Sequence, residues 1–266
     1  MSGIQLENIV FTYDNGFVAV DDVSFTIHEN EKVAIIGQNG AGKTTTVKLM
    51  NGLLRPSAGK IYVDGKDISE LTTAQASQMV GYVFQNPGDQ IFNKTVYDEI
   101  AYTLRYFKKP KEEVDRIVHE SAKMCHVEEY LDINPYDLPF SLRKFVTIAT
   151  VVAMGTKYII LDEPTAGQDL LGLQYQKEII DELIQMGRTV IIITHDMDFV
   201  VDNFDRVLVM AKKKLVGDKG TKEIFWNQDI LEKAALKQPT VAHIAKNLGF
   251  KDKVININEF IEYVQR

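Results

Sequence analysis

The chain has 266 residues, of which 45% are apolar and 25% charged, and a formal net charge of −7. These values suit one large globular domain with at most a small appendage, and they lack the basic footprint that a nucleic-acid partner requires. The single cysteine, Cys125, excludes an internal disulfide, and the longest strongly apolar runs, such as Val190-Ile-Ile-Ile193, fall far short of the roughly 20 residues of a spanning helix.

Met1-Ser-Gly-Ile-Gln-Leu-Glu-Asn8 has neither the basic start nor the apolar centre of a secretory signal. Work at a membrane then requires another subunit to bring the chain there. Short strands are predicted at Ile4–Thr12 and Ala19–His28, flanking the turn-rich Tyr13-Asp-Asn-Gly16. Lys32-Val-Ala-Ile-Ile36 reads as a buried strand. It runs into Gly37-Gln-Asn-Gly-Ala-Gly-Lys-Thr-Thr45, the pattern G-x-x-x-x-G-K-[ST] filled by Gly37, Gly42, Lys43 and Thr44. Glycines let the backbone curl so that successive N–H groups face one phosphate chain; the lysine reaches the β- and γ-phosphates, and the next hydroxyl binds Mg²⁺. Asn39, Gly40 and Thr45 belong to the same loop. Thr45–Met50 opens a helix, whose N-terminus adds donors for the anion. The expected ligand is a nucleoside triphosphate with Mg²⁺.

Further strands are expected at Lys60–Val63 and Met79–Phe84. From about residue 86 to 155 the pattern turns helical, with Val96, Ile100 and Leu104 at i, i+4 and i+8. Two apolar strands follow, Tyr158–Asp162 and Thr189–Thr194, separated by a helix carrying Ile179, Ile180, Leu183 and Ile184 and closed by Gly187. Arg206–Met210 is a late strand with Lys212-Lys-Lys214 as its turn, and from about Thr221 the chain is mostly helical. The first apolar strand ends in Asp162 and Glu163, the second in Thr194-His195-Asp196. On a parallel sheet both ends face the nucleotide. Asp162 then sits in the Mg²⁺ shell, Glu163 polarises the attacking water, and His195 bridges the γ-phosphate and that carboxylate. Gln85, after Val80–Phe84, can ligate Mg²⁺ and the lytic water, and Tyr13 can stack on adenine.

This set, in unbroken order over roughly residues 4–220, resembles the nucleotide-binding domains of the ATP-binding cassette (ABC) superfamily. Tyr13 corresponds to the A-loop aromatic, Gly37–Thr44 to Walker A, Gln85 to the Q-loop, and Asp162 and Glu163 to Walker B and the general base. Ala166-Gly-Gln-Asp169 corresponds to the D-loop and His195 to the switch histidine. The resemblance implies an α/β P-loop NTPase core of ABC type with an antiparallel β subdomain. It further implies a nucleotide-binding domain over 1–220 with a helical insert at about 86–155, and a small helical extension over 221–266. ATP and Mg²⁺ are the implied ligands, and Glu163, His195 and Gln85 the implied catalytic residues.

The family also carries Leu-Ser-Gly-Gly-Gln at the start of a helix, and counting back from Asp162 places Leu138-Pro-Phe-Ser-Leu142 there. Pro139 offers neither hydroxyl nor N–H, Phe140 adds a ring where a glycine lets the backbone approach, and Ser141 keeps one hydroxyl two positions late. In this family the signature of one subunit closes over the ATP of the other. The departure predicts a heterodimer whose second ATPase supplies an intact signature. Phe84-Gln-Asn-Pro-Gly-Asp-Gln-Ile-Phe92, Glu163-Pro-Thr-Ala-Gly167 and the tail Leu231–Val241 are similar to ATPase subunits of energy-coupling factor (ECF) transporters. That likeness implies a multi-span membrane subunit as partner, work at the cytoplasmic face, and uptake of a vitamin or transition-metal ion. No nucleic-acid partner is expected. Asp98 and Glu99 are candidates to meet arginines of the membrane subunit. Cys125, the Asn93-Lys-Thr95 sequon and His28, His119, His126 and His243 carry no functional expectation.

Overall fold

The computed structural model describes residues 2–265, so Met1 and Arg266, the outer limits of the two expected units, lie outside the described residues. The chain opens with β1 (Ile4–Thr12), β2 (Val18–Ile27), β3 (Lys32–Ile36), α1 (Lys43–Met50), β4 (Ala58–Val63), β5 (Lys66–Asp67), α2 (Thr73–Ser77) and β6 (Val80–Val83). Three longer helices follow, α3 (Val96–Tyr106), α4 (Lys111–Met124) and α5 (Phe140–Met154). Then come β7 (Tyr158–Asp162), α6 (Leu170–Gln185), β8 (Thr189–Ile193), α7 (Met197–Asn203), β9 (Arg206–Ala211) and β10 (Lys214–Gly220). The chain ends in α8 (Thr221–Phe225), α9 (Gln228–Ala234), α10 (Thr240–Asn247) and α11 (Ile257–Val264).

The strands form two sheets. An antiparallel sheet runs β2-β1-β4-β5, and a larger one runs β10-β9-β3-β8-β7-β6. In the larger sheet β9, β3, β8, β7 and β6 are mutually parallel, and only β10 is antiparallel to its neighbour. The inner strands are buried on both faces, which is why they read as unbroken apolar runs. Their alternate residues serve two cores. Val33, Ile35, Ile160, Ile191, Ile193 and Leu208 pack with α1 and the antiparallel sheet. Ala34, Ile36, Ile159, Leu161, Val190, Ile192 and Val209 pack on the other side with residues of α3, α4, α5 and α6. Ile224, Phe225, Ile230 and Leu231 of α8 and α9 join this second core.

Apart from the two-residue β5, which was not expected, the strand positions agree with the sequence expectation, but β10 was not anticipated. Its residues, Lys214-Leu-Val-Gly-Asp-Lys-Gly220, combine charge and glycine and carry little strand signal. Lys212 and Lys213 take positive φ (48° and 74°), and the hairpin they form lays β10 against β9 as a charged edge strand.

Asp64, in the turn between β4 and β5, joins the two sheets. It accepts hydrogen bonds from the Tyr158 hydroxyl (2.5 Å), Lys157 Nζ (3.0 Å) and the Gly3 N–H (3.1 Å). Burial works to raise its carboxyl, but the bonds from Tyr158 and Lys157 outweigh it and hold the pKa below the ordinary 3.8. A depressed folded-state pKa contributes stability above the unfolded value that is lost as pH falls through the folded one. Asp64→Asn is expected to lower the unfolding free energy by about 1–2 kcal/mol at pH 7. Urea titrations at pH 7 and pH 3 check this: the gap between the two proteins shrinks at the lower pH.

Candidate nucleotide site

Parallel pairing puts the carboxyl ends of β3, β6, β7 and β8 at one edge of the sheet. The segments leaving that edge carry the phosphate loop, Gln85, Asp162–Glu163 and His195. A cleft of about 410 Å³ lies there. Asn39, Gly40, Gly42, Lys43, Thr44 and Thr45 line one wall, and Gln85, Glu163, Ala166 and His195 the other. Two glycines make the loop possible. A Cβ on Gly37 (φ +152°) would stand 2.2 Å from the Met210 carbonyl oxygen, and one on Gly42 (φ +101°) 2.5 Å from that of Ala19.

Lys43 is buried, and its Nζ donates to the carbonyls of Gly37 (2.7 Å) and Gln38 (3.0 Å). Burial lowers its pKa, against the pull of Glu163 and Asp162. The cation is thus folded back over its own loop, at the mouth of the α1 N-terminus. Tyr13 lies beside the loop rather than in the cleft. Its hydroxyl is 3.1 Å from Thr45 Oγ1 and its ring meets Phe11 edge-on at 4.8 Å, yet 39% of the residue stays exposed.

Glu163 adopts a left-handed backbone (φ +49°), uncommon for a residue with a side chain. Its Oε1 is 3.1 Å from His195 Nε2 and its Oε2 accepts from the His195 backbone N–H at 3.3 Å. Burial raises the Glu163 carboxyl, opposed by that N–H and by Lys43. Burial, and then Lys43, lower the His195 pKa. A carboxylate oxygen can only accept, so in this contact Nε2–H of His195 donates to Glu163. The 3.5 Å approach of Lys43 Nζ to the same nitrogen is then not a bond.

Asp162 is buried beneath the cleft. Its Oδ2 accepts from the Tyr82 hydroxyl at 2.6 Å, while its buried Oδ1 has no partner. A free carboxylate oxygen, the Thr44 hydroxyl and the Gln85 amide make a hard-oxygen donor set with a single acid. That set fits Mg²⁺, which takes one or two carboxylates and completes its shell with phosphate oxygens and water. Among the described residues no cluster of three or more His, Cys, Asp and Glu side chains is arranged to hold a metal by itself.

Residues 20–166, more than half of the chain, match the family described as ABC transporter. The chain belongs to the ABC transporter family. This ABC protein is 36% identical over 253 residues to the energy-coupling factor transporter ATP-binding protein EcfA of Methanocaldococcus jannaschii, over 94% of this chain and 91% of EcfA. Its fold is similar to that of cbiO1 from Clostridium perfringens, part of the ABC transporter complex cbiONQ. The TM-score is 0.78 at 33% identity, covering 91% of this chain and 98% of that one. It is also similar to an ATP-binding cassette solved as a post-hydrolysis dimer with ADP and Pi, with a TM-score of 0.76 at 25% identity over 82% and 98%. Some relatives are longer: of one from Methanosarcina acetivorans, 35% identical, the chain spans 40%. The ABC protein is an ABC-type ATPase coupled to transport. No helix among its described residues is long and apolar enough to cross a membrane.

One of the two acids expected to meet the membrane subunit is corrected. Glu99 is 1% exposed, and its Oε2 accepts from the backbone N–H of Phe92 (3.1 Å) and Asn93 (2.8 Å) and from Asn93 Nδ2 (3.0 Å). It braces the loop before α3 and is closed to an arginine from outside. Asp98 is engaged by Arg105 at 2.8 Å. The structure also brings in residues that were not singled out. Tyr82 orients Asp162, and Gln90 ties the segment after Gln85 to α5, accepting from the Phe84 N–H (3.2 Å) and donating to the Thr147 carbonyl (3.3 Å). Lys144 of α5 reaches the Glu163 carbonyl, and burial pushes its ammonium down to about 8.

Proposed function

We propose that this chain binds and hydrolyses ATP as one of two ATPase subunits of an ECF-type uptake complex for a vitamin or transition-metal ion, at the cytoplasmic face of the membrane. One observation carries the reading: a single cleft gathers Lys43, Thr44, Gln85, Glu163 and His195 above the free oxygen of Asp162. The phosphate-loop N–H groups and Lys43 hold the β- and γ-phosphates, and Tyr13 stacks on adenine. Thr44, Gln85 and Asp162 would hold Mg²⁺, which when bound would supply positive charge to the phosphate oxygens. Glu163 accepts a proton from water as its oxygen attacks the γ-phosphorus and the bond to the β,γ-bridging oxygen breaks. His195, hydrogen-bonded to Glu163, keeps the carboxylate on that line.

The other half of the site comes from a second ATPase with an intact signature. In this chain α5 begins at Phe140 with Pro139 as its N-cap and no side-chain cap, so the turn that faces the partner's ATP has no hydroxyl at its cap, carries one only at Ser141, and presents the half-exposed ring of Phe140. The membrane subunit docks beside Gln85, where Phe92 and Tyr102 are exposed and meet edge-on at 4.7 Å. Affinity purification of the tagged chain from native membranes tests this proposal. The expected result is co-purification of a multi-span membrane protein and a different ATPase. Recovery only as a homodimer free of membrane protein would contradict it.

A further inference from the structure

Lys144 is a charge set before the uncharged run Phe145-Val-Thr-Ile-Ala-Thr-Val-Val-Ala-Met154 of α5, and it is only 2% exposed. Its Nζ donates to the Glu163 carbonyl oxygen and lies 5.5 Å from the centroid of the Phe140 ring, in the first turn of the same helix. Two more contacts join the same two segments. The Phe140 ring lies 3.5 Å from where a Cβ on Gly167 would stand, and Gln168 Nε2 donates to the Ser141 carbonyl at 3.2 Å. The first turn of α5 is thereby fastened to residues 163–168 along its length.

Burying an ammonium is more costly than burying an apolar side chain of the same shape, and replacing buried charges by apolar residues is often neutral or stabilising. Filling space is therefore a poor account of Lys144. What a lysine provides here, and a methionine does not, is a donor to one carbonyl. That carbonyl belongs to the residue with the left-handed backbone, a conformation that persists only when its surroundings fix it. Glu163 is fixed by its N–H to the Ile193 carbonyl (2.8 Å), by the Ala166 N–H to its own carbonyl (3.3 Å), and by Lys144 at that same oxygen.

We infer that Lys144 is a positioning residue that sets the backbone of Glu163, and through it the carboxylate, and links it to the turn of α5 that covers the other subunit's nucleotide. The inference rests on the reading of Glu163 as general base. It makes the two nucleotide sites mechanically continuous within one chain: a shift of Phe140 or Ser141 on contact with the partner's nucleotide is passed to Glu163.

The test uses the assembled complex with Lys144→Met, Lys144→Gln and Glu163→Gln, measuring kcat and the affinity for a fluorescent ATP analogue. Methionine has no donor, and the glutamine amide ends short of the lysine's reach. Both Lys144 variants are expected to lower kcat by about tenfold or more, the scale of a small misplacement of a reacting group, with nucleotide affinity kept within about twofold. Should Lys144→Met fail to fold, Lys144→Gln, which keeps a polar tip, carries the same test. A folded variant with kcat within about twofold of the unaltered complex overturns the inference, as does a loss of affinity in step with the loss of rate. If instead Glu163→Gln itself hydrolyses ATP at the unaltered rate, the general-base reading fails, and Lys144 is not what failed.

Discussion

Glu163→Gln is expected to reduce ATP hydrolysis by the assembled complex by about 10²-fold or more, with ATP affinity held within a few-fold. The amide keeps the shape of the side chain and an oxygen to accept from His195, so the wall of the cleft stays in place. It cannot take a proton from water. Lys43, Thr44 and the loop N–H groups, which bind the phosphates in the proposed mechanism, are untouched. The pH dependence carries the same signature. Burial raises the Glu163 carboxyl above the ordinary 4.5. Below the raised value the carboxyl already holds a proton and cannot act as base. The rate of the unaltered complex therefore climbs with pH through an apparent value above that of an ordinary glutamate, then levels. The variant loses this limb together with its rate. Phosphate release against pH, with nucleotide binding measured in parallel, checks both. A subunit that binds ATP only to hold the assembly together would keep its rate in Glu163→Gln.

The second large effect belongs to the first turn of α5. In the proposed pair this turn is the lid over the other subunit's ATP, and Pro139 and Phe140 remove a hydroxyl and crowd the backbone. Loss of one preorganised donor to a developing charge costs about 10²–10³ in rate. A complex carrying Glu163→Gln here leaves only the partner's nucleotide to turn over, beneath this lid, and that residual rate is expected to be very small. Adding Pro139→Ser with Phe140→Gly to the same chain is expected to raise the residual rate about 10²-fold. Phe140 is already half exposed, so its removal costs far less packing than loss of a core ring. Single-turnover phosphate release from the two complexes makes the comparison. An unchanged residual rate would mean that the altered turn is not what limits the second site.

Much of this is legible in the sequence. The phosphate loop was readable because its chemistry needs glycine, lysine and threonine at fixed spacing, and the closeness of Gly37 to the Met210 carbonyl shows why no other residue stands there. The acids at the end of Tyr158–Asp162 were readable because an apolar run of strand length announces a parallel strand buried on both faces. What stayed hidden depended on which side of an element a polar residue faces. Glu99 was read as a surface acid, although it lies three residues after Val96 and so shares the buried side of α3. Lys144 passed unnoticed because lysines are seldom buried; the uncharged run that follows it was the available signal. Tyr82 and Gln90 act through partners 80 and 57 residues distant, separations that no local pattern encodes. The edge strand β10 carries charge where inner strands carry valine and isoleucine, so its pairing is imposed by the turn before it.

The asymmetry between the two sites is tested most directly by one comparison: the rate of ATP hydrolysis by the purified chain alone, against that of the chain paired with a second ATPase bearing Leu-Ser-Gly-Gly-Gln. A competent site that needs a lid from another subunit predicts that the chain alone is slower by about 10²-fold or more per nucleotide site. Equal rates would contradict it.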